Sequence, residues 1–241
     1  MSARDRIFVA LDTPDRAVAL EWARRLTGAV GGVKVGLELF THAGPDIVDA
    51  LHRTGHRVFL DLKLHDIPST VAGAARRVGE LGVDSFTLHA LGGADMIAAA
   101  AEASAEAAER QGLGRPVPVA VTVLTSHDDA SLGALGLAGP CTDAVRRLTV
   151  LARDAGARGI VCSALEVALV KDAFPRGLRV VPGIRPAGSE SHDQSRVASP
   201  AKAVSEGADR LVIGRTITRA KDPLAAAEAL VAELEASEAP K

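Results

Sequence analysis

Three ionisable residues, Asp61, Lys63 and Asp66, fall within the stretch FLDLKLHDIPST that runs from Phe59 to Thr70. It begins as an apolar strand of Phe59, Leu60, Leu62 and Leu64, interrupted at alternate positions by Asp61 and Lys63. Side chains at i and i+2 on a strand share a face. An acid and a base therefore leave the strand end on one side, and Asp66 follows just before Ile67-Pro68 breaks the strand pattern. A carboxylate beside an ammonium can hold that charge fixed, where it can oppose developing negative charge and give up a proton. A lone Asp-x-Lys is most often an ordinary ion pair. Three charges alternating at a strand-to-loop junction favour a site, because burying them is costly unless they are paired or functional.

Lysine usage points the same way. The chain holds 22 arginines against six lysines, and two of the six, Lys34 in GGVKVG and Lys63, sit inside apolar strand patterns. Arginine keeps its proton in a protein, whereas lysine can release one. A strand-borne lysine in an arginine-rich chain is a candidate proton donor, and pairing with Asp61 is compatible with that role.

Short β-rich runs alternate with longer alanine-rich amphipathic stretches along the whole chain. The pattern predicts strands over Ile7 to Leu11, Gly32 to Val35, Arg57 to Leu62, Ser85 to Leu88, Val117 to Val123, Gly159 to Val161, Arg179 to Val181 and Arg210 to Ile213. Helices are predicted between them, over Pro14 to Leu26, Pro45 to Arg53, Val71 to Leu81, Ala94 to Arg110, Thr142 to Ala155 and Ser199 to Glu206, with Pro223 to Ala236 last. Eight βα units in 241 residues point to a single-domain (β/α)8 barrel. An open doubly wound sheet is the alternative; the first strand runs into Ala10-Leu11-Asp12 without the glycine-rich turn that would favour it.

Barrel enzymes place their sites at the C-terminal mouth of the strands. The polar residues gather there: Asp12 after strand one, Lys34 in strand two, Asp61 and Lys63 ending strand three, His89 ending strand four, Thr125 and Ser126 after strand five. Asp12 could instead cap a helix, as could Ser126 or Asp128. Strand seven runs into PGIRP and strand eight into IGRTIT. Gly183 and Gly214 let backbone N–H groups approach an anion and Arg185 and Arg215 can fork onto it, the usual barrel phosphate grip. Tight turns with solvated arginines would look similar, but two in these successive units favour phosphate. Between the two turns, AGSESHDQSRV has no strand or helix pattern and reads as a lid over about residues 184–197, or else as a surface loop without a role.

Composition sets outer limits. A formal net charge of −2 with 47% hydrophobic residues suggests neither a nucleic-acid nor an anionic-membrane partner. No apolar run approaches a membrane span, and MSARDRIFVA lacks a signal-peptide plan, so a cytoplasmic protein is expected. Two cysteines, Cys141 and Cys162, have no Cys-x-x-Cys spacing, and the one His-x-x-x-His spacing among the seven histidines, His52 and His56, has no flanking glutamate; neither a disulfide framework nor a metal centre is indicated.

Taken together, DLKLHDIPST, VTVLTS, PGIRP followed by GSESHDQ, and VIGRTIT followed by KDP resemble the orotidine 5'-monophosphate decarboxylase family, in unbroken order from Asp12 through Pro223. Asp-x-Lys-x-x-Asp alone is shared with related barrel decarboxylases and aldolases acting on sugar phosphates. The Ile-Pro-x-Thr extension, joined to PGIRP and a glutamine-bearing lid, is more specific. The resemblance implies conversion of orotidine 5'-monophosphate (OMP) to uridine 5'-monophosphate (UMP) without cofactor or metal. It implies that Asp12 and Lys34 hold the ribose hydroxyls, that Lys34 joins Asp61, Lys63 and Asp66 in a charged array, and that Thr125, rather than Ser126, meets the pyrimidine edge. Arg185, Gln194, Gly214 and Arg215 match the phosphate grip. An obligate homodimer is implied as well, with Asp66, Ile67 and Thr70 reaching the partner's site.

Two other classes remain open at this level. A magnesium-dependent sugar-phosphate decarboxylase or aldolase would use Asp12 and Asp61 as metal ligands, which a lysine at position 34 opposes. A non-catalytic nucleotide-binding barrel is the other, and the intact Lys34, Asp61, Lys63 and Asp66 argue against it.

Overall fold

Strands short enough to cross one layer, each followed by a chain reversal and a helix, give a sheet that closes on itself. The computed structural model describes residues 1–185 and 198–238. Its strands are β1 (Ile7–Ala10), β2 (Gly32–Gly36), β3 (Val58–Leu64), β4 (Ser85–His89), β5 (Val117–Val121), β6 (Gly159–Val161), β7 (Leu178–Val181) and β8 (Arg210–Ile213). All neighbours are parallel, and β1 pairs with both β2 and β8, closing an eight-stranded barrel. The helices are α1 (Arg16–Arg25), α2 (Leu37–Ala43), α3 (Asp46–His52), α4 (Pro68–Glu80), α5 (Gly93–Arg110), α6 (Asp129–Ala134), α7 (Cys141–Asp154), α8 (Val167–Ala173), α9 (Pro200–Ser205), α10 (Arg215–Thr218) and α11 (Pro223–Glu238). The fold is the (β/α)8 barrel that the alternating pattern predicts.

Period-two alternation divides the apolar residues between two cores. Phe8, Ala10, Phe59, Val119, Val180 and Val212 fill the inside of the barrel, while Ile7, Val9, Val33, Val58 and Leu60 join the helices in the layer around it. Phe8 and Phe59 meet edge to face, their ring centroids 6.5 Å apart at 87°. Below them, at the strand N-termini, Arg210 is 6% exposed and lies over the Phe8 ring at 4.6 Å. Its guanidinium grips Asp84 with two nitrogens, at 2.5 and 3.2 Å, and also donates to Ser85. A buried cation is thus paid back by a bidentate carboxylate, which ties β8 to the start of β4 and plugs that end.

Helix ends follow local capping chemistry. The α1 N-terminus is capped by Asp15, whose Oδ1 accepts from the N–H groups of Ala17 and Val18. Asp128 caps α6 in a reciprocal box with Ser131. Pro68 stands in the first turn of α4, where its missing N–H costs nothing. The motif after Lys63 therefore turns straight into a helix, and Asp66, Ile67 and Thr70 ride on its exposed start.

Candidate active site

Asp61 stands between two lysines on neighbouring strands. Its Oδ1 accepts from Lys63 Nζ at 2.8 Å, and its Oδ2 lies 3.7 Å from Lys34 Nζ, which in turn donates to Asp12 Oδ1 at 2.9 Å. The row Asp12, Lys34, Asp61, Lys63 alternates in sign and is buried at its middle: the Asp12 side chain is 59% exposed, those of Lys34 and Asp61 11% and 16%, and that of Lys63 30%. Burial alone would raise the Asp61 carboxyl, but the charges of Lys34 and Lys63, with hydrogen bonds from Lys63 and Thr87, hold it below the ordinary carboxylate range. Asp61 is therefore an anion at neutral pH, with a cation on either side. Asp12 does not cap α1; Asp15 does, and Asp12 accepts from Lys34. Gly36 keeps this corner open; a Cβ there would stand 2.9 Å from Lys34 Nζ and 3.3 Å from Asp12 Oδ1.

Lys63 reaches this position through a break in the ladder. The β3–β4 register shifts between Leu60 and Leu64, and Lys63 has φ +52°, the only positive φ at a non-glycine among the described residues. A left-handed lysine is strained, and such strain collects at functional sites. The predicted strand ends at Leu62; the bulge instead lets β3 continue to Leu64, which pairs with Leu88.

These charges form one wall of a cavity of about 290 Å³ at the C-terminal mouth. Ala10, Phe59, Val121, Val161, Val180 and Val212 give it an apolar floor, and Thr125 stands on its rim beside Leu124. Cys162 also lines it, fully buried, with burial pushing its thiol far up, so it is a protonated apolar group and no nucleophile. The same cavity is lined by Gly183, Ile184 and Arg185 after β7 and by Gly214, Arg215 and Thr216 at the start of α10, with Gly214 beside Asp12. Gly183 has φ +74°, which lets the chain turn sharply out of β7. Arg185 Nε is buried without a hydrogen-bond partner among the described residues, a donor left over for a ligand. Its backbone N–H is held by Ala198 O, and Ile184 bridges to Ala198, so the two sides of the intervening segment meet at its base. Gln194 and most of the expected lid, residues 186–197, lie outside the described residues.

Not every expected residue converges. Asp66, Ile67 and Thr70 do not line this cavity; Asp66 Oδ1 accepts from the Ile67 N–H at 2.6 Å and Ile67 is 63% exposed. Among the described residues of one chain, Lys63 pairs with Asp61 alone. Thr87, which the sequence reading passes over, hydrogen-bonds both Asp61 and Lys63 and is fully buried. Its signal was the alternation of Ser85, Thr87 and His89 along an otherwise apolar β4. His89, on the same face, has a buried Nδ1 without a partner among the described residues and a ring 5.4 Å from His65; burial, then the His65 and Lys63 charges, lower its proton affinity against the pull of Asp61.

A row of fixed charges and the Gly-Arg turns after β7 and β8 thus line one cavity at the C-terminal mouth of a (β/α)8 barrel, where enzymes of this fold place their sites. The family model described as "Orotidine 5'-phosphate decarboxylase / HUMPS family" matches residues 5–230, and the chain belongs to that family. An orotidine 5'-phosphate decarboxylase of Alkalilimnicola ehrlichii is 54% identical over 98% of this chain and 99% of its own, and one of Halorhodospira halophila is 54% identical over 96% and 97%. The crystal structure of orotidine 5'-phosphate decarboxylase from Lactobacillus acidophilus superposes with a TM-score of 0.83 at 37% identity, covering 95% of this chain and 98% of that one. Within the family the chain groups with the carboxy-lyases. No helix among the described residues is long and apolar enough to cross a membrane.

Proposed function

We propose that this protein decarboxylates OMP to UMP without a cofactor, with Lys63 as the general acid. The observation that carries this reading is the Lys34–Asp61–Lys63 arrangement, with distances of 3.7 and 2.8 Å, at the mouth of an apolar-floored cavity. When the bond from C6 to the carboxylate breaks, the electron pair remains on C6 in an orbital that the ring π system cannot delocalise. Stabilisation must come from a fixed positive charge, and the carbanion is quenched by a proton. Lys63 supplies both: its ammonium faces C6, and one of its protons ends there as carbon dioxide departs. Asp61 keeps the ammonium in place, and its charge beside the departing carboxylate would add a smaller ground-state contribution.

The remaining residues are assigned by what they offer. Asp12 and Lys34 take the ribose hydroxyls, Thr125 the pyrimidine edge, and Arg185, Gly214 and Arg215 the phosphate, joined by Gln194 as residues 184–197 close over it. Phosphate binding far from C6 then helps to assemble the charged row around the reacting carbon. Exposed Ile67, together with Asp66 and Thr70 on the open start of α4, fits a cytoplasmic homodimer in which these residues complete the partner's site beside its Lys63.

A magnesium-dependent sugar-phosphate enzyme is the less favoured reading for a specific reason. The place between Asp12 and Asp61 is taken by the Lys34 ammonium, and among the described residues no three His, Cys, Asp or Glu side chains gather as a metal site. Ultraviolet absorbance of OMP mixed with the purified protein tests the reading, with and without chelator. Conversion to UMP unaffected by the chelator is expected; no conversion, or conversion that the chelator stops, would overturn it.

A further inference from the structure

Lys63 has an unusual requirement. Its backbone N–H sits in the bulge where β3 and β4 fall out of register, at φ +52°, so the regular ladder does not take it. A buried N–H left unmade is costly, and a lysine held in the left-handed region must be fixed by its surroundings. The partner that takes it is the Thr87 hydroxyl, at 2.8 Å.

That hydroxyl has a second contact. Thr87 Oγ1 lies 2.9 Å from Asp61 Oδ1, the same oxygen that accepts from Lys63 Nζ at 2.8 Å. The direction of each bond is forced. An amide N–H only donates, so Oγ1 accepts from Lys63 and its one proton points to Asp61, an anion that only accepts. The result is a closed ring: Lys63 N–H to Thr87 Oγ1, Thr87 O–H to Asp61 Oδ1, Lys63 Nζ–H to the same Oδ1. One side chain thus fixes both the backbone from which the lysine springs and the carboxylate that receives its ammonium.

We propose that Thr87 is a positioning residue for decarboxylation, whose hydroxyl aims the Lys63 ammonium at the reacting carbon by locking the Lys63 backbone to the Asp61 carboxylate. Thr87 is fully buried and is not among the residues lining the cavity, so it acts through Lys63 and Asp61 rather than on the substrate. The proposal rests on the decarboxylase reading above. Its hydroxyl is also one of the donors holding the Asp61 carboxyl low, so its loss moves that group upward.

Thr87→Val keeps the volume and deletes the hydroxyl; Thr87→Ser keeps the hydroxyl and trims a methyl. Loss of aim by a fraction of an ångström is expected to lower kcat of Thr87→Val by about 30- to 100-fold, while KM and UMP affinity stay within about threefold. The acid limb of its turnover profile should move to higher pH. Thr87→Ser should recover kcat to within about fivefold of wild type. Should Thr87→Val fail to fold, Thr87→Ala measured against Thr87→Ser reads the same difference. A hydroxyl-free variant with wild-type kcat and an unmoved acid limb overturns the assignment, as does a serine variant as impaired as the hydroxyl-free one, which would make Thr87 a packing residue. The wild type is assayed first: if it does not convert OMP, the decarboxylase reading fails and takes this assignment with it, whereas an active wild type beside an equally active Thr87→Val removes the assignment alone.

Discussion

Replacing Asp61 by asparagine removes one charge and keeps the shape, so it isolates what the anion does between its two lysines. At an effective dielectric constant of about 20, a unit charge 2.8 Å from Lys63 and 3.7 Å from Lys34 gains roughly 6 and 4 kcal/mol of attraction. These are gross values. Desolvating Asp61 takes back a large part, and water reaches the Lys63 side chain, which is 30% exposed. An amide can still accept the bonds from Lys63 and Thr87. The net cost of Asp61→Asn should then be about 2–4 kcal/mol, below the full penalty for orphaning a buried pair. For a chain of this size that lowers Tm by about 5–12 °C. Turnover should fall much further, by about 100-fold or more, because the ammonium loses the charge that holds it in place. Thermal unfolding followed by circular dichroism gives the first number and the OMP absorbance assay the second. An unchanged Tm with turnover within about tenfold of wild type would refute the reasoning, since Asp61 would then be neither anchoring nor compensating the lysines.

Other consequences can be checked in the same way. Arg210→Met leaves the Asp84 carboxylate without its bidentate partner at the closed end of the barrel, and should cost about 3 kcal/mol in denaturant unfolding with kcat changed less than about twofold. His52, His56 and His89 are all held below their ordinary value of 6.5, chiefly by burial. The unfolded chain then takes up these protons first as pH falls, so stability is full above about pH 6.5 and declines below it; Tm should drop between pH 7.5 and 5.5, and a flat profile would contradict the assignment. The shared-site reading predicts that Lys63→Ala and Asp66→Ala proteins, each nearly inactive, recover turnover when their subunits are exchanged. No recovery after demonstrated exchange would count against it.

The barrel was legible because its strands are buried on both faces, with β-branched runs separated by amphipathic helices; all eight predicted strands are present within a few residues of their expected bounds. Four short helices, α2, α6, α8 and α10, were not foreseen, although α3 and α9, of similar length, were. Runs of four to seven residues carry little helical period of their own, and α3 and α9 were legible through the prolines and Ser199 at their starts. At the mouth, Asp12, Lys34, Asp61, Lys63, Thr125, Arg185, Gly214 and Arg215 all reach one cavity, since strand ends in a closed barrel must converge. What alternation could not show is the bulge. A strict period of two places Asp61 and Lys63 on one face, but says nothing of the left-handed turn at Lys63 or of Thr87, whose role exists only once β3 slips against β4. Asp66, Ile67 and Thr70 stand outside the cavity of their own chain, which alternation along one strand could not show either.

The central claim is that Lys63 gives the proton to C6. Its most direct test is Lys63→Ala, with OMP turnover measured beside the binding of UMP. Turnover should fall by about 1,000-fold or more while UMP affinity changes by less than about tenfold, because the lysine acts on charge that develops only during the reaction. A variant that keeps more than about a tenth of wild-type turnover would show that the proton comes from elsewhere.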